Sequence, residues 1–338
     1  MTVRLKKLGE QTIVITGASS GIGLTTARLA ARAGARLVLA ARNAEALQQL
    51  TSELGVAGAQ AIYVIADVGH VQDVENIARA AIERFGGFDT WINNAGVSIY
   101  GRIADVPLED HRRLFETNFW GVVHGSLTAI RHLRERGGAL INVGSEVSEV
   151  AIPLQGMYSA SKHAVKGFTD ALRVELEAEG APVCVTLVKP AGIDTQFVKH
   201  AKNYMDRAPK LPAPVYAPEV VAEAVLFAAQ HPRRDVFVGG AAKLAAAAAY
   251  HAPRLVDRYL ARFMFGQQQR AQPPQPREDN ALYEPSTGLA QSEGQPGRVF
   301  KRSWYTRAAL RPGATMGLLA AAGFTIAAMI QLRRSTAR

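Results

Sequence analysis

The chain has 338 residues, of which 48% are hydrophobic and 20% charged, and it carries a net charge of +10. That composition excludes a disordered chain and supplies apolar mass for one large domain or two ordinary ones. A single cysteine, Cys184, excludes a disulfide framework and a multi-cysteine metal site; the eight histidines are scattered without ligand spacing, so no metal is expected.

The N-terminus, "MTVRLKKLGEQ", shows no secretory signal pattern. Short β-branched runs then alternate with longer helical stretches. Strands are expected at 12–16, 36–40, 61–65, 89–93, 139–144, 183–188 and 235–239. These read as continuous apolar runs, the pattern of parallel strands covered on both faces. Cys184 lies inside one of them, "VCVTLV", and is expected to be a buried, inert thiol. Crossover helices are expected at about 20–34, 44–54, 71–85, 109–136, 157–179 and 218–230. Repeated βα units of this kind predict an α/β fold with a doubly wound, mostly parallel sheet as a single domain over 1–240.

Beyond residue 240 the character changes. Residues 241–265 predict a helical extension of two short helices broken at Pro253. Residues 266–312 begin with a stretch rich in Gln, Pro, Gly and Ser (266–298) and predict a flexible linker. Residues 314–332 are uncharged, with Arg311 before them and Arg333 and Arg334 after. As a helix this run would extend roughly 28 Å, near the hydrocarbon thickness of a bilayer. The segment 313–334 is therefore a candidate transmembrane or membrane-surface helix; a helix docked on the body or on another copy remains open. Residues 264–338 hold ten Lys/Arg against four Asp/Glu, which suits an anionic surface near the tail. No basic stripe interleaved with aromatics is present, so no nucleic-acid partner is expected.

Two local patterns carry chemistry. "TGASSGIG" (16–23) lies between the first strand and first helix. There Gly17 permits a tight turn, Gly21 lets backbone approach a pyrophosphate, and Gly23 permits close packing of helix on strand. The second strand ends in Ala40, Ala41 and Arg42, where an NAD site has a carboxylate for the ribose hydroxyls. A guanidinium there suits a 2′-phosphate, so NADP is favoured over NAD. "YSASK" (158–162) puts a phenol and an ammonium one turn apart on one helix face. Taken alone, that pair also fits an ordinary solvated face.

The glycine loop, "NNAG" at 93–96, Asn118 in "ETNFWG", Ser145 thirteen residues before Tyr158, and "YSASK" occur in the order seen in the short-chain dehydrogenase/reductase family, which residues ~10–240 resemble. The resemblance implies a Rossmann-type seven-stranded sheet and NAD(P)-dependent interconversion of a carbonyl and an alcohol. It places the catalytic set on Asn118, Ser145, Tyr158 and Lys162. It places cofactor contacts on Gly17, Ser19, Ser20, Gly21, Ile22, Gly23, Arg42, Asp67, Asn94, Ala95, Gly96, Tyr158, Lys162, Pro190, Ile193 and Thr195, with Asn93 in the same turn as Asn94. In "KPAGIDT" (189–195) Ala191 stands where the family usually has glycine.

Tyr158 is then the general acid/base, with its pKa expected to fall below the ordinary phenol value beside the Lys162 ammonium. Ser145 would bind the carbonyl oxygen, Lys162 the nicotinamide ribose, and Asn118 a water linking Lys162 to solvent. His163 points away from that face. Glu146 and Glu149 could rim the substrate pocket, and 196–216 stands where the family has a mobile lid. The expected partners are a small carbonyl or alcohol substrate, apolar if the anchor is real, a membrane, and a second copy in a homo-oligomer. The expected location is membrane-associated with the catalytic domain in the cytoplasm, or soluble there. The alternative from another class is a catalytically silent nucleotide-binding scaffold or redox sensor.

Overall fold

The computed structural model describes residues 3–295, 297–311, 313 and 315. Seven parallel strands form the central sheet: β1 Thr12–Thr16, β2 Arg36–Ala41, β3 Ala61–Ile65, β4 Thr90–Asn93, β5 Gly138–Val143, β6 Val183–Pro190 and β7 Asp235–Val238. Their order across the sheet is β7-β6-β5-β4-β1-β2-β3. The expected doubly wound sheet is present, and its strand order reverses between β1 and β4, where a crevice opens at the carboxyl ends.

Alternate residues of each strand feed opposite cores. Ile13, Ile15, Leu37 and Leu39 face one way, against α1 (Gly21–Arg32), α2 (Ala44–Val56) and α7 (Pro218–Ala228). Val14, Val38, Trp91 and Leu140 face the other way, against α3 (Val71–Phe85), α5 (Gly121–Arg136) and α6 (Gly156–Ala178). Two-sided cover explains the unbroken apolar runs of the inner strands. The edge strand β3 departs from it, since Ile65 is 56% exposed.

The helix expected over 109–136 is two helices. α4 (Leu108–Phe115) meets α5 through a π turn at Glu116–Trp120. The widened turn carries Asn118, whose side chain closes on Val97: its Oδ1 accepts from Val97 N at 2.8 Å and its Nδ2 donates to Val97 O at 2.9 Å. π turns of this kind mark functional positions in helices.

The helical extension breaks where its proline requires. α8 (Gly240–His251) ends before α9 (Pro253–Tyr259), in which Pro253 takes the first helical position. Residues 266–311 differ from the expected flexible linker. Val299–Phe300 pairs with Val215–Tyr216, which pairs in turn with Gly192–Ile193. The helix Trp304–Leu310 packs on β7, with Thr306 and Leu310 buried. Before these points, over 268–295, the chain is held mostly through its backbone. Composition undervalues such a segment because its carbonyls, not its side chains, make most of the contacts.

The candidate membrane helix 313–334 lies outside the described residues except for Gly313 and Thr315. Among the described residues no helix is long and apolar enough to cross a membrane.

Candidate active site

The glycine loop leaves the carboxyl end of β1 and enters α1 in the geometry its spacing predicts. Gly17 and Gly21 take φ values of +66° and +52°, which L side chains rarely adopt. A methyl on Gly23 would lie 2.1 Å from the carbonyl oxygen of Gly17, so only hydrogen fits there. Asn94, at the end of β4, pins this loop by donating to the carbonyls of Thr16 and Gly17 at 3.0 and 3.2 Å. Asn93 points into the core, where it donates to Asn142 Oδ1 at 2.9 Å, and it does not line the crevice.

One continuous groove runs along the crevice. It is lined by Gly17, Ser19, Ser20, Gly21, Ile22, Arg42, Asp67, Asn94, Ala95, Gly96, Tyr158, Lys162, Pro190, Ile193 and Thr195. Of the residues expected to touch cofactor, Gly23 alone is absent from the lining; it sits behind Gly17 as a spacer. Ala191 in place of glycine leaves the loop intact: Pro190 ends β6, and Gly192–Ile193 continues as a short strand. The glycine cradle and the cationic end at Arg42 give this groove the shape and donors that a dinucleotide requires.

Ser145, Tyr158 and Lys162 of the expected catalytic set line the other end of the groove, whereas Asn118 is fully buried behind them and does not line it. The Lys162 Nζ donates to Val143 O at 3.0 Å and lies 5.8 Å from the centre of the Tyr158 ring. Ser145 stands beside the Tyr158 hydroxyl closely enough to draw its pKa down. Ser145 is fixed by a reciprocal cap in which its hydroxyl accepts from Val147 N and its own N–H donates to Ser148 Oγ. A methyl built on Gly96 would come 3.4 Å from Asn118 Oδ1 and 3.8 Å from Lys162 Nζ, so Gly96 keeps a gap open between them.

Burial dominates the electrostatics here. It raises the Tyr158 phenol well above its ordinary pKa; Ser145 pulls it back, and Glu146 pushes it up further. The expected lowering by Lys162 is not present in the protein alone, because burial also lowers the Lys162 ammonium, to about 8. Burial raises the Glu146 carboxyl to about 7. His200, lowered to about 4 by burial and then by Lys199, also lines the groove.

Around the catalytic end the groove is walled by Val97, Ile152, Gln155, Phe197, Leu211 and Pro212, and the Phe197 ring lies 5.4 Å from that of Tyr158. The expected lid thus contributes Phe197, His200, Leu211 and Pro212. Its Lys202 and Tyr204 instead reach Asp110 on α4. Glu146 lines the pocket, whereas Glu149 does not, being bound to Lys189 at 2.8 Å. His163 is exposed and turned onto its own helix, bonded to Ser159 O.

Two features escaped the sequence. Asp67 is ion-paired with Arg113, and its backbone neighbour Gly69 also donates to it; burial would raise this carboxyl, but these bonds hold it below the usual range. The C-terminal segment also reaches the groove, with Ala281, Pro285 and Ser286 in its lining. Arg42 donates to the carbonyls of Ala281, Leu282 and Tyr283. No residue pattern announces either contact, since both join positions far apart in sequence.

A family model described as short chain dehydrogenase matches residues 11–205. The chain is 50% identical over 313 residues to "Uncharacterized oxidoreductase YxnA" of Bacillus subtilis, covering 92% of this chain and 88% of that protein. A match of that extent includes most of 266–311. The chain is 35% identical to "Dehydrogenase/reductase SDR family member 7B" of Xenopus tropicalis, over 69% of this chain and 78% of that one. Among solved structures, a short-chain dehydrogenase/reductase from Burkholderia phymatum in complex with NAD superposes with a TM-score of 0.68 at 27% identity, covering 74% of this chain and 96% of that one. An alcohol dehydrogenase from Thermococcus sibiricus complexed with 5-hydroxy-NADP gives a TM-score of 0.60 at 28% identity, covering 67% and 95%. With the sheet order, the glycine loop and the matched residues in agreement, the chain belongs to the short-chain dehydrogenase/reductase family of oxidoreductases.

Proposed function

We propose that the protein interconverts a ketone or aldehyde and an alcohol with NADP(H), and that Tyr158 is its general acid/base. The observation that carries this reading is Ser145, Tyr158 and the buried Lys162 ammonium gathered at the end of a dinucleotide-shaped groove. When bound, the nicotinamide exchanges a hydride with the carbonyl carbon. Tyr158 donates its proton to the carbonyl oxygen in reduction and recovers it in oxidation. A phenol raised by burial is fully protonated at neutral pH, the form that reduction needs.

Ser145 hydrogen-bonds the same oxygen and stabilises the charge that develops on it. Lys162 holds the nicotinamide ribose, and its ammonium is the group through which the phenol is recharged. Asn118 and Lys162 bound the gap over Gly96, which supports a water bridging the two. At the adenosine end, Arg42 with no neighbouring carboxylate on β2 favours a 2′-phosphate. The apolar wall of Val97, Ile152, Phe197, Leu211 and Pro212 favours an apolar substrate. A homo-oligomer and membrane tethering through 313–334 complete the proposal; tethering is supported by the uncharged run 314–332.

The test is NADPH oxidation against a panel of apolar carbonyls, with nucleotide binding followed separately by fluorescence. Tyr158→Phe is expected to lose about two to four orders of magnitude in kcat while still binding NADPH. Arg42→Ala is expected to narrow the preference for NADPH over NADH. Equal turnover by Tyr158→Phe and the parent would remove Tyr158 as the proton donor, and binding of NADPH with no turnover of any carbonyl by the parent would leave the silent-scaffold or redox-sensor reading in its place.

A further inference from the structure

The C-terminal segment runs the length of the groove and is bonded at both ends and in the middle. At the adenosine end Arg42 and Arg113 both donate to its carbonyls, Arg42 to Ala281, Leu282 and Tyr283 and Arg113 to Leu282 at 3.1 Å. Asn43 Nδ2 donates to Ser286 O at 2.6 Å. Midway, the backbone N–H of Gly21 donates to Ala290 O at 3.0 Å. At the nicotinamide end Gln196 Nε2 donates to Ser292 O, and the backbone N–H groups of Gly294 and Gln295 donate to Asp194 Oδ1 at 3.1 and 3.0 Å.

The same segment is joined to the lid. Asp110, 1% exposed, accepts from Tyr283 of the segment at 2.8 Å, and from Tyr204 and Lys202 of the lid. The groove stays continuous beneath it, from Arg42 to Tyr158. A chain bonded to both rims of a groove that remains open underneath is a cover. Of 281–295 only Ala281, Pro285 and Ser286 reach the groove lining.

We propose that residues 281–295 are the outer wall of the cofactor site, a strap that closes over the bound dinucleotide and retains it. Cofactor then enters and leaves with the strap lifted, and the shared anchor at Asp110 makes lifting the strap loosen the substrate lid. This rests on the dinucleotide reading of the groove. It adds a binding element from outside the family-matched residues 11–205. It also gives Arg42 a second task, since the guanidinium that faces the 2′-phosphate end is the one that holds the strap.

The test is the rate at which bound NADPH is released from the full-length protein, followed by loss of its fluorescence on mixing with excess NADP+. Tyr283→Phe removes one bond to Asp110 and leaves Lys202 and Tyr204 in place, so the fold is kept. Release from this variant is expected to be faster by about tenfold, with weaker equilibrium binding. Hydrogen exchange provides the second measurement: backbone amides of 281–295 are expected to gain protection when NADPH binds to the unaltered protein. Binding with an unchanged release rate, tighter binding by Tyr283→Phe, or exchange in 281–295 indifferent to NADPH would each overturn the strap alone. Failure of the unaltered protein to bind either NADPH or NADH would overturn the dinucleotide reading and the strap with it.

Discussion

Tyr158 and Lys162 share one helix face, and burial acts on both by favouring the neutral form. Spacing made the pair legible, because i, i+4 on a helix fixes which side chains meet. Their protonation was not legible, because it depends on how much of the surrounding fold excludes water. Glu146 follows the same rule and gives a measurable consequence. In the unfolded chain it ionises near 4.5, whereas in the folded protein it keeps its proton up to about 7. Between those values the folded state binds more protons, so this residue makes stability fall as pH rises through the window. Glu146→Gln removes that loss. Its melting temperature is expected to exceed that of the parent at pH 8, with the gap closing toward pH 4.5; a gap independent of pH would show that Glu146 ionises normally in the fold.

At the scale of elements, two glycines inside helices show how context sets the sign of one substitution. Gly23 lies in the first turn of α1, where an added methyl would collide with the backbone of Gly17 at 2.1 Å. Gly167 lies within α6, is exposed, and would meet nothing within 4 Å. Gly23→Ala is expected to lower stability by about 1–3 kcal/mol or more and to abolish NADPH binding, since the loop must shift to admit the methyl. Gly167→Ala is expected to raise stability by up to about 1 kcal/mol and leave binding unchanged, because alanine loses less backbone entropy in a helix. Denaturant melts of the two variants, read beside nucleotide titrations, check both signs. The glycine loop was legible because its three glycines answer separate steric demands at fixed spacing. The π turn at Asn118 was not, since the partner its side chain meets, Val97, lies 21 residues away.

The whole molecule depends on a region that composition reads as loose. The stretch 266–298 is rich in Gln, Pro, Gly and Ser, and hydropathy gives it no reason to settle. The arginines and backbone donors of the body give it one, and beyond it the chain enters the fold outright. Val299–Phe300 extends a sheet built on Gly192–Ile193 and Val215–Tyr216. Thr306 accepts from Gly239 N at 3.0 Å, and Arg233 donates to Leu310 O at 2.8 Å. These contacts carry the packed body at least as far as Leu310, well past the match of the family model at 205. A chain ending at 311 keeps all of these contacts, whereas one ending at 298 loses the added strand and the helix Trp304–Leu310 and is expected to melt below it. Removing Phe300 and Leu310 uncovers apolar surface of Tyr216 and β7, worth about 2 kcal/mol or more at ordinary burial values. The same pair of truncations tests tethering without confusing it with unfolding. A chain ending at 311 that stays folded but leaves the membrane fraction assigns the anchor to 312–338; one that fractionates as the full-length chain does removes the anchor from the proposal.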